Sequence, residues 1–162
     1  MNVEPKGKKA MFGAGCFWGV EAAFRQLDGV METTVGYSGG HVDDADYKQV
    51  CSGESGHAEV VLVRFDPAQV SYDDLLNCFW AKHDPTQLNK QGPDVGSQYR
   101  SAVYYFDDDQ REVATVSKAT EDSSGRHKKP VVTEIKVAGP FWEAEEYHQQ
   151  YLEKRGLATC SI

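Results

Sequence analysis

Apolar positions along the chain change their period from segment to segment, and each period predicts an element. Lys8 to Gly13 reads as a short strand entering a glycine-containing turn, and Val30 to Tyr37 is rich in β-branched residues and reads as a second strand. Ala58 to Phe65 is nearly continuous in apolar residues, which predicts a central strand. Ser101–Phe106 and Val131–Val137 complete the strands. Between them, Val20, Ala23, Phe24 and Leu27 recur at helical spacing after Cys16 and stop at Asp28-Gly29. Ser71 stands as an N-cap, with Asp74 in the place of a capping-box acid, ahead of Leu75, Leu76, Phe79 and Trp80 on one helix face. Further helices are predicted from Asp109 to Thr120 and from Trp142 to Lys154.

Two stretches lack any period: 38–57, rich in Gly, Asp, Ser, His and Tyr, and 84–99, polar and glycine-bearing. Loops of that length inside a small domain are usually functional. The strands at 30–37 and 58–65 have no helix between them, so the pattern predicts an α+β two-layer sandwich rather than a doubly wound parallel sheet. A ferredoxin-like core with a mixed sheet and long functional loops is the expected arrangement. At 162 residues the chain fits one catalytic domain, 1–162, with a short N-terminal extension (1–7) and a short C-terminal tail (156–162).

Composition narrows the function. Seventeen basic against 25 acidic side chains give a net charge of −8, which disfavours a nucleic-acid partner. The one basic cluster, Arg126-His127-Lys128-Lys129, reads as a solvated loop between two elements. No signal-peptide pattern and no membrane-length apolar run is present, so a cytoplasmic location is expected. In that reducing setting the four cysteines are expected to be buried, catalytic or metal-bound rather than permanently paired.

Cys16 has the most informative surroundings. Strand, glycine turn, cysteine and helix place it at a helix N-terminus, where the dipole and exposed N–H groups favour a thiolate. Phe17 and Trp18 follow, two large aromatics poorly explained by core packing and suited to an apolar pocket beside the sulfur. The plainer reading is a small buried hydrophobe, which is the reading that fits Cys78, between Asn77 and Phe79 on an amphipathic helix. A Cys-dependent hydrolase or transferase would use His57 or His83 as base, though nothing in sequence ties either to Cys16. A non-catalytic binding module is a third reading. There is no Cys-x-x-Cys, and no ligand spacing suits zinc, Cys51 and His57 being six apart.

Longer blocks carry a resemblance. Gly13-Ala14-Gly15-Cys16-Phe17-Trp18-Gly19-Val20-Glu21 is similar to the signature of the A-type peptide methionine sulfoxide reductases. The likeness continues at 35–40, 47–53, 56–61, 83–86 and 94–101, and at Phe141-Trp142-Glu143-Ala144-Glu145 with Tyr147-His148-Gln149. Taken in order these blocks span nearly the whole chain. Gln87 and Pro93 are small departures from the family pattern.

The resemblance implies reduction of the S-epimer of methionine sulfoxide, free or in proteins, without cofactor or metal. It implies that Cys16 attacks the sulfoxide sulfur and that Glu59 protonates its oxygen. Tyr47 and Tyr99 would hydrogen-bond that oxygen, Phe17 and Trp18 would wall the S-methyl group, and Asp94 would help arrange substrate and water. By itself Glu59 reads as an exposed edge-strand glutamate, and the tyrosines as ordinary loop packing. Cys160, in the tail, is the expected resolving thiol, with Cys51 its rival, and a thioredoxin-like dithiol the expected reductant. A monomer is expected.

Overall fold

The computed structural model describes residues 7–156. Its elements in chain order are β1 (Lys8–Ala14), α1 (Phe17–Arg25), β2 (Val30–Ser38), α2 (Tyr47–Cys51), β3 (Ala58–Phe65) and α3 (Tyr72–Ala81). There follow a two-residue ladder of β4 (Lys90–Gln91) with β5 (Asp94–Val95), then β6 (Ser101–Tyr105) and α4 (Asp108–Ser123). The described chain closes with β7 (Glu134–Val137), β8 (Phe141–Glu143) and α5 (Tyr151–Lys154). Six strands form one sheet in the order β7-β6-β1-β3-β2-β8. All neighbours are antiparallel except β6 and β7, so the sheet is mixed. With helices packed against that sheet, the architecture is the α+β sandwich that the periodicities predict.

Strand alternation sends each side chain to a set face. Ala10, Phe12 and Ala14 of β1 join Val61, Val63 and Phe65 of β3 in the main core, with Val20 and Phe24 of α1 and Leu75, Leu76 and Phe79 of α3. Phe12 centres this layer, stacked on Phe24 at 5.0 Å and tilted against Phe79 at 5.3 Å. Burying a side chain of that size contributes roughly 2–3 kcal/mol relative to leaving it exposed. The opposite face carries a smaller cluster: Met11, Ala58, Val60, Ala102 and Tyr104. At α3 the capping box is present in both directions, with Asp74 N–H donating to Ser71 Oγ and Ser71 N–H to Asp74 Oδ2, each at 3.0 Å.

Four expectations are corrected. The stretch predicted as a helix from 142 to 154 is instead β8, a 3₁₀ turn at Glu146–His148 and the single turn α5. Phe141–Glu143 pair with Gly36–Ser38 of β2, and Gln150 sits at φ 47°, a left-handed conformation that interrupts any continuous helix. Gly36 makes this pairing possible, since a Cβ there would lie 2.4 Å from the Trp142 carbonyl. The strand expected over 131–137 is ordered as β7 only from Glu134. Segment 38–57 is not wholly irregular: it holds α2, closed by a reciprocal Asp46–Gln49 capping box. Segment 84–99 likewise holds the β4–β5 ladder and a 3₁₀ turn at Ser97–Tyr99.

Candidate active site

β1 ends in the turn expected from its glycines. Gly15 adopts φ +95°, and a Cβ there would come within 2.8 Å of the Gln91 side chain, so glycine is required to turn the chain here. Cys16 is the N-cap residue of α1, half-buried, with the first N–H groups of a nine-residue helix directly after it. A thiolate placed there meets the positive end of the helix dipole.

β3 brings the acid. Counting by twos from Val61 and Val63 puts Glu59 on the helix-facing side of an interior strand, and it is 2% exposed. Its carboxylate accepts a hydrogen bond from the Phe17 N–H at 3.3 Å. Burial pushes the carboxyl up to about 8, against the pull of that N–H, and the nearby charge of Asp94 adds to the rise. At neutral pH it is therefore largely protonated.

The two long loops supply the hydroxyls. Tyr47 opens α2, which is pinned by its own capping box and by the Tyr47 N–H reaching Glu145 at 3.4 Å. Its hydroxyl is held neutral by a hydrogen bond to Cys51 and by burial, well above the ordinary phenol range. Tyr99 ends the 3₁₀ turn, which Arg100 fixes by donating to the Ser97 carbonyl at 2.9 Å and to Glu134 at 3.3 Å. Burial, then the negative charges of Glu59, Cys51 and Asp94, push the Tyr99 hydroxyl up to about 12. Both phenols are hydrogen-bond donors at neutral pH.

These groups meet. Cys16, Phe17, Trp18, Tyr47, Glu59, Asp94 and Tyr99 line one cavity of about 140 Å³. Every site residue expected from sequence is there except Cys160, which lies outside the described residues. Cys51 is exposed on α2, one helical turn from Tyr47 and bonded to its hydroxyl. Burial raises its thiol, partly offset by that bond.

His57 and His83 do not line the cavity. His57 spans Gly40 N–H (3.0 Å) and the Val42 carbonyl (2.6 Å), holding the loop that carries Tyr47. His83 bridges the Phe79 carbonyl (2.6 Å) and Ser101 Oγ (2.7 Å), and burial lowers it to about 4. Both rings have their two nitrogens engaged outside the cavity, so the reading of either as the base of a hydrolase is not supported. No group of His, Cys, Asp and Glu suited to a metal occurs among the described residues.

Three further residues support the site without being singled out in the sequence. Trp18 Nε1 donates to His148 Nδ1 at 3.0 Å, while Tyr151 stacks on the indole at 3.8 Å and 10°. His148 is buried, also touches Phe17 and Tyr47, and burial lowers its proton affinity, keeping it an acceptor for the indole. Glu145 accepts from Tyr37 and Tyr147 hydroxyls, each at 3.1 Å, as well as from Tyr47 N–H. The block 141–149 was visible in the sequence, but an expected helix there concealed which of its side chains face the site.

Comparison with known proteins agrees with this geometry. The family profile described as "Peptide methionine sulfoxide reductase" matches residues 8–162. A relative named peptide methionine sulfoxide reductase MsrA, from Geobacter metallireducens, is 56% identical over 99% of this chain and 99% of its own. Among solved structures, Mxr1 of Saccharomyces cerevisiae in reduced form superposes with a TM-score of 0.85 at 34% identity, covering 96% of this chain and 90% of that one. Mxr1 in complex with Trx2 matches with a TM-score of 0.63 at 25% identity, covering 93% and 89%. A cysteine at a helix start, facing a protonated buried glutamate and two phenols, thus stands within a sequence matched along almost its entire length, and this chain belongs to the peptide methionine sulfoxide reductase family.

Proposed function

We propose that this protein reduces the S-epimer of methionine sulfoxide, free or within polypeptides, to methionine. The observation that carries the reading is the shared cavity of Cys16 and Glu59, a thiol at a helix N-terminus beside a carboxyl raised to about 8. A thiolate attacks sulfoxide sulfur slowly unless the oxygen is protonated as the bond forms, so a neutral acid is the group such a reaction requires. Glu59 gives its proton to the sulfoxide oxygen while Tyr47 and Tyr99 hold that oxygen by their hydroxyls. Phe17 and Trp18 take the S-methyl group, and the indole is kept in place by His148 and Tyr151. Asp94 arranges substrate and water.

Oxygen passes formally to Cys16, methionine departs, and Cys16 is left as a sulfenic acid. A second thiol condenses with it, releasing water and forming a disulfide that a thioredoxin-like dithiol reduces by exchange. Cys160 is the proposed resolving thiol. It follows Tyr151, which packs on Trp18, by nine residues, a chain length that reaches up to roughly 30 Å. The Trx2 complex of the yeast relative supports a thioredoxin as partner. Among the described residues no helix is long and apolar enough to cross a membrane.

The test is dithiothreitol-driven reduction of separated sulfoxide epimers. Loss of the S-epimer reaction in Cys16→Ser and a strong slowing in Glu59→Gln are expected, and full activity in Glu59→Gln would remove the acid assignment. Mapping the disulfide of the oxidised enzyme decides between Cys160 and Cys51.

A further inference from the structure

The basic cluster 126–129 is not a featureless solvated loop. It forms one wall of an open groove of about 700 Å³, five times the volume of the catalytic cavity, whose other wall is the segment 84–90. The walls are tied at their base by Val132 N–H donating to the Pro85 carbonyl at 2.9 Å. The cluster is also held from behind. Glu121, buried in α4, receives Arg126 and His127 on its two carboxylate oxygens, and Asp122 accepts the Val131 N–H at 2.9 Å.

Of the two carboxylates next to the groove, Glu121 is ion-paired, while Asp84 is held by neutral donors and keeps one negative charge against the lysines. Asp84 accepts three hydrogen bonds, two from Thr86 and one from Gln87, and Glu121 is taken by Arg126 and His127. Lys90, Lys128 and Lys129 also line the groove, exposed, and none has an ion-pair partner among the described residues. In a chain of net charge −8 this is a local reversal of sign. Such a reversal attracts an acidic ligand and steers its approach.

The groove is joined to the catalytic cavity by the β4–β5 ladder. Lys90, in the groove, pairs with Val95, while Gln91 pairs with Asp94, in the cavity. Gln91 also packs on Gly15, one residue before Cys16, and bonds both the N–H and the carbonyl of Asp84 at 2.9 Å. Leu88 and Val95, 67% and 74% exposed, leave apolar surface along this path.

We propose that the groove binds an acidic segment of the polypeptide whose methionine sulfoxide sits at Cys16, so that oxidised methionines near runs of Asp or Glu are preferred. This deepens the reductase reading and rests on it. An extended peptide advances about 3.3 Å per residue, so a segment of several residues runs from the cavity along the β4–β5 ladder into the groove.

The experiment compares two synthetic peptides, each with one methionine S-sulfoxide, carrying a run of four Glu or of four Gln on either side of it. Free methionine S-sulfoxide is the reference, and dithiothreitol the reductant. In the wild type, kcat/KM for the Glu peptide is expected to exceed that for the Gln peptide about tenfold at low ionic strength, falling to about twofold at high salt. Lys128→Gln/Lys129→Gln should erase the preference and Lys128→Glu/Lys129→Glu should invert it, with free-sulfoxide turnover unchanged in both as evidence of folding. Equal kcat/KM for the two wild-type peptides at low salt would overturn the proposal, as would a preference that survives both variants. A charge-reversal defect seen only in thioredoxin-driven turnover would also overturn it, assigning the groove to the reductant. Failure of the wild type to reduce the free sulfoxide would sink the reductase reading itself, a distinct outcome.

Discussion

Two carboxylates near helix α1 are almost equally hidden from solvent, Glu59 at 2% exposure and Glu21 at 1%, and burial raises both. Their surroundings differ in what fills their lone pairs. Glu21 accepts from Thr33 Oγ1 at 2.8 Å and from Gln150 N–H at 2.7 Å, with the Gln150 side chain at 3.5 Å and Arg25 nearby. It clamps α1 to β2 and to the chain leading into α5. Glu59 has the 3.3 Å contact with Phe17 N–H and opens onto the cavity that holds Cys16. Donors occupy the Glu21 oxygens and tie that carboxyl to the structure around it, while Glu59, raised to about 8 with a single donor, keeps its proton near pH 7. Burial is shared; hydrogen-bond saturation separates the roles.

That contrast breaks most sharply at the reacting atoms. Cys16→Ser is expected to abolish sulfoxide reduction with the fold intact, checked by turnover beside circular dichroism.

Glu59→Gln should slow the sulfoxide step by roughly 10²–10³-fold in single-turnover kinetics. In the wild type that step should decline as pH rises through about 8, because the acid is then ionised, and Gln should remove this alkaline limb. Linkage gives the same residue a stability signature. A folded-state value raised from about 4.5 to about 8 stabilises the protein below the unfolded value and withdraws that stability as pH rises between the two. The difference amounts to about 3–5 kcal/mol. Urea titrations at pH 5 and pH 8.5 should therefore show wild type losing ground to Glu59→Gln at the higher pH.

The phenols come next. Tyr47→Phe or Tyr99→Phe alone should reduce the sulfoxide step about tenfold, because one hydroxyl still holds the oxygen. The double variant should lose about 10²-fold or more in the same assay.

The smallest catalytic effect belongs to Glu21. Glu21→Gln should leave kcat/KM within about twofold but cost about 1–2 kcal/mol, since Thr33 and Gln150 donate to both carboxyl oxygens and an amide offers only one acceptor. That corresponds to a fall in Tm of roughly 3–6 °C by calorimetry. The gap should narrow as pH rises through the raised Glu21 value, where the wild type must carry a desolvated charge. A catalytic loss in Glu21→Gln as large as that in Glu59→Gln would collapse the distinction between the two carboxylates.

Much of this was legible in the sequence, and the parts that were not share a cause. The Cys16 turn, the α1 stripe, the Ser71 cap and the apolar run of β3 are local patterns, and each appears where the pattern puts it. The helix expected from Trp142 to Lys154 does not form because the shape of that segment is decided by a distant partner. Phe141–Glu143 extend because β2 offers an edge, and Gln149 turns inward to bond both the N–H and the carbonyl of Val35, at 2.9 Å each. Neither interaction leaves a period in the chain.

The sequence by itself determined the setting of Cys16, the helix that follows it and the family, because these rest on neighbouring residues and on long ordered blocks. Only the tertiary structure decided that Glu59 is buried at 2% exposure with the Phe17 N–H as donor and opens onto the Cys16 cavity, since these depend on what packs over β3. Tertiary structure also separated Glu59 from Glu21, and drew the lysines of two remote loops into one groove. A carboxyl's proton affinity and a groove's charge are sums over groups brought close by folding, and those distances are not written in the order of the residues.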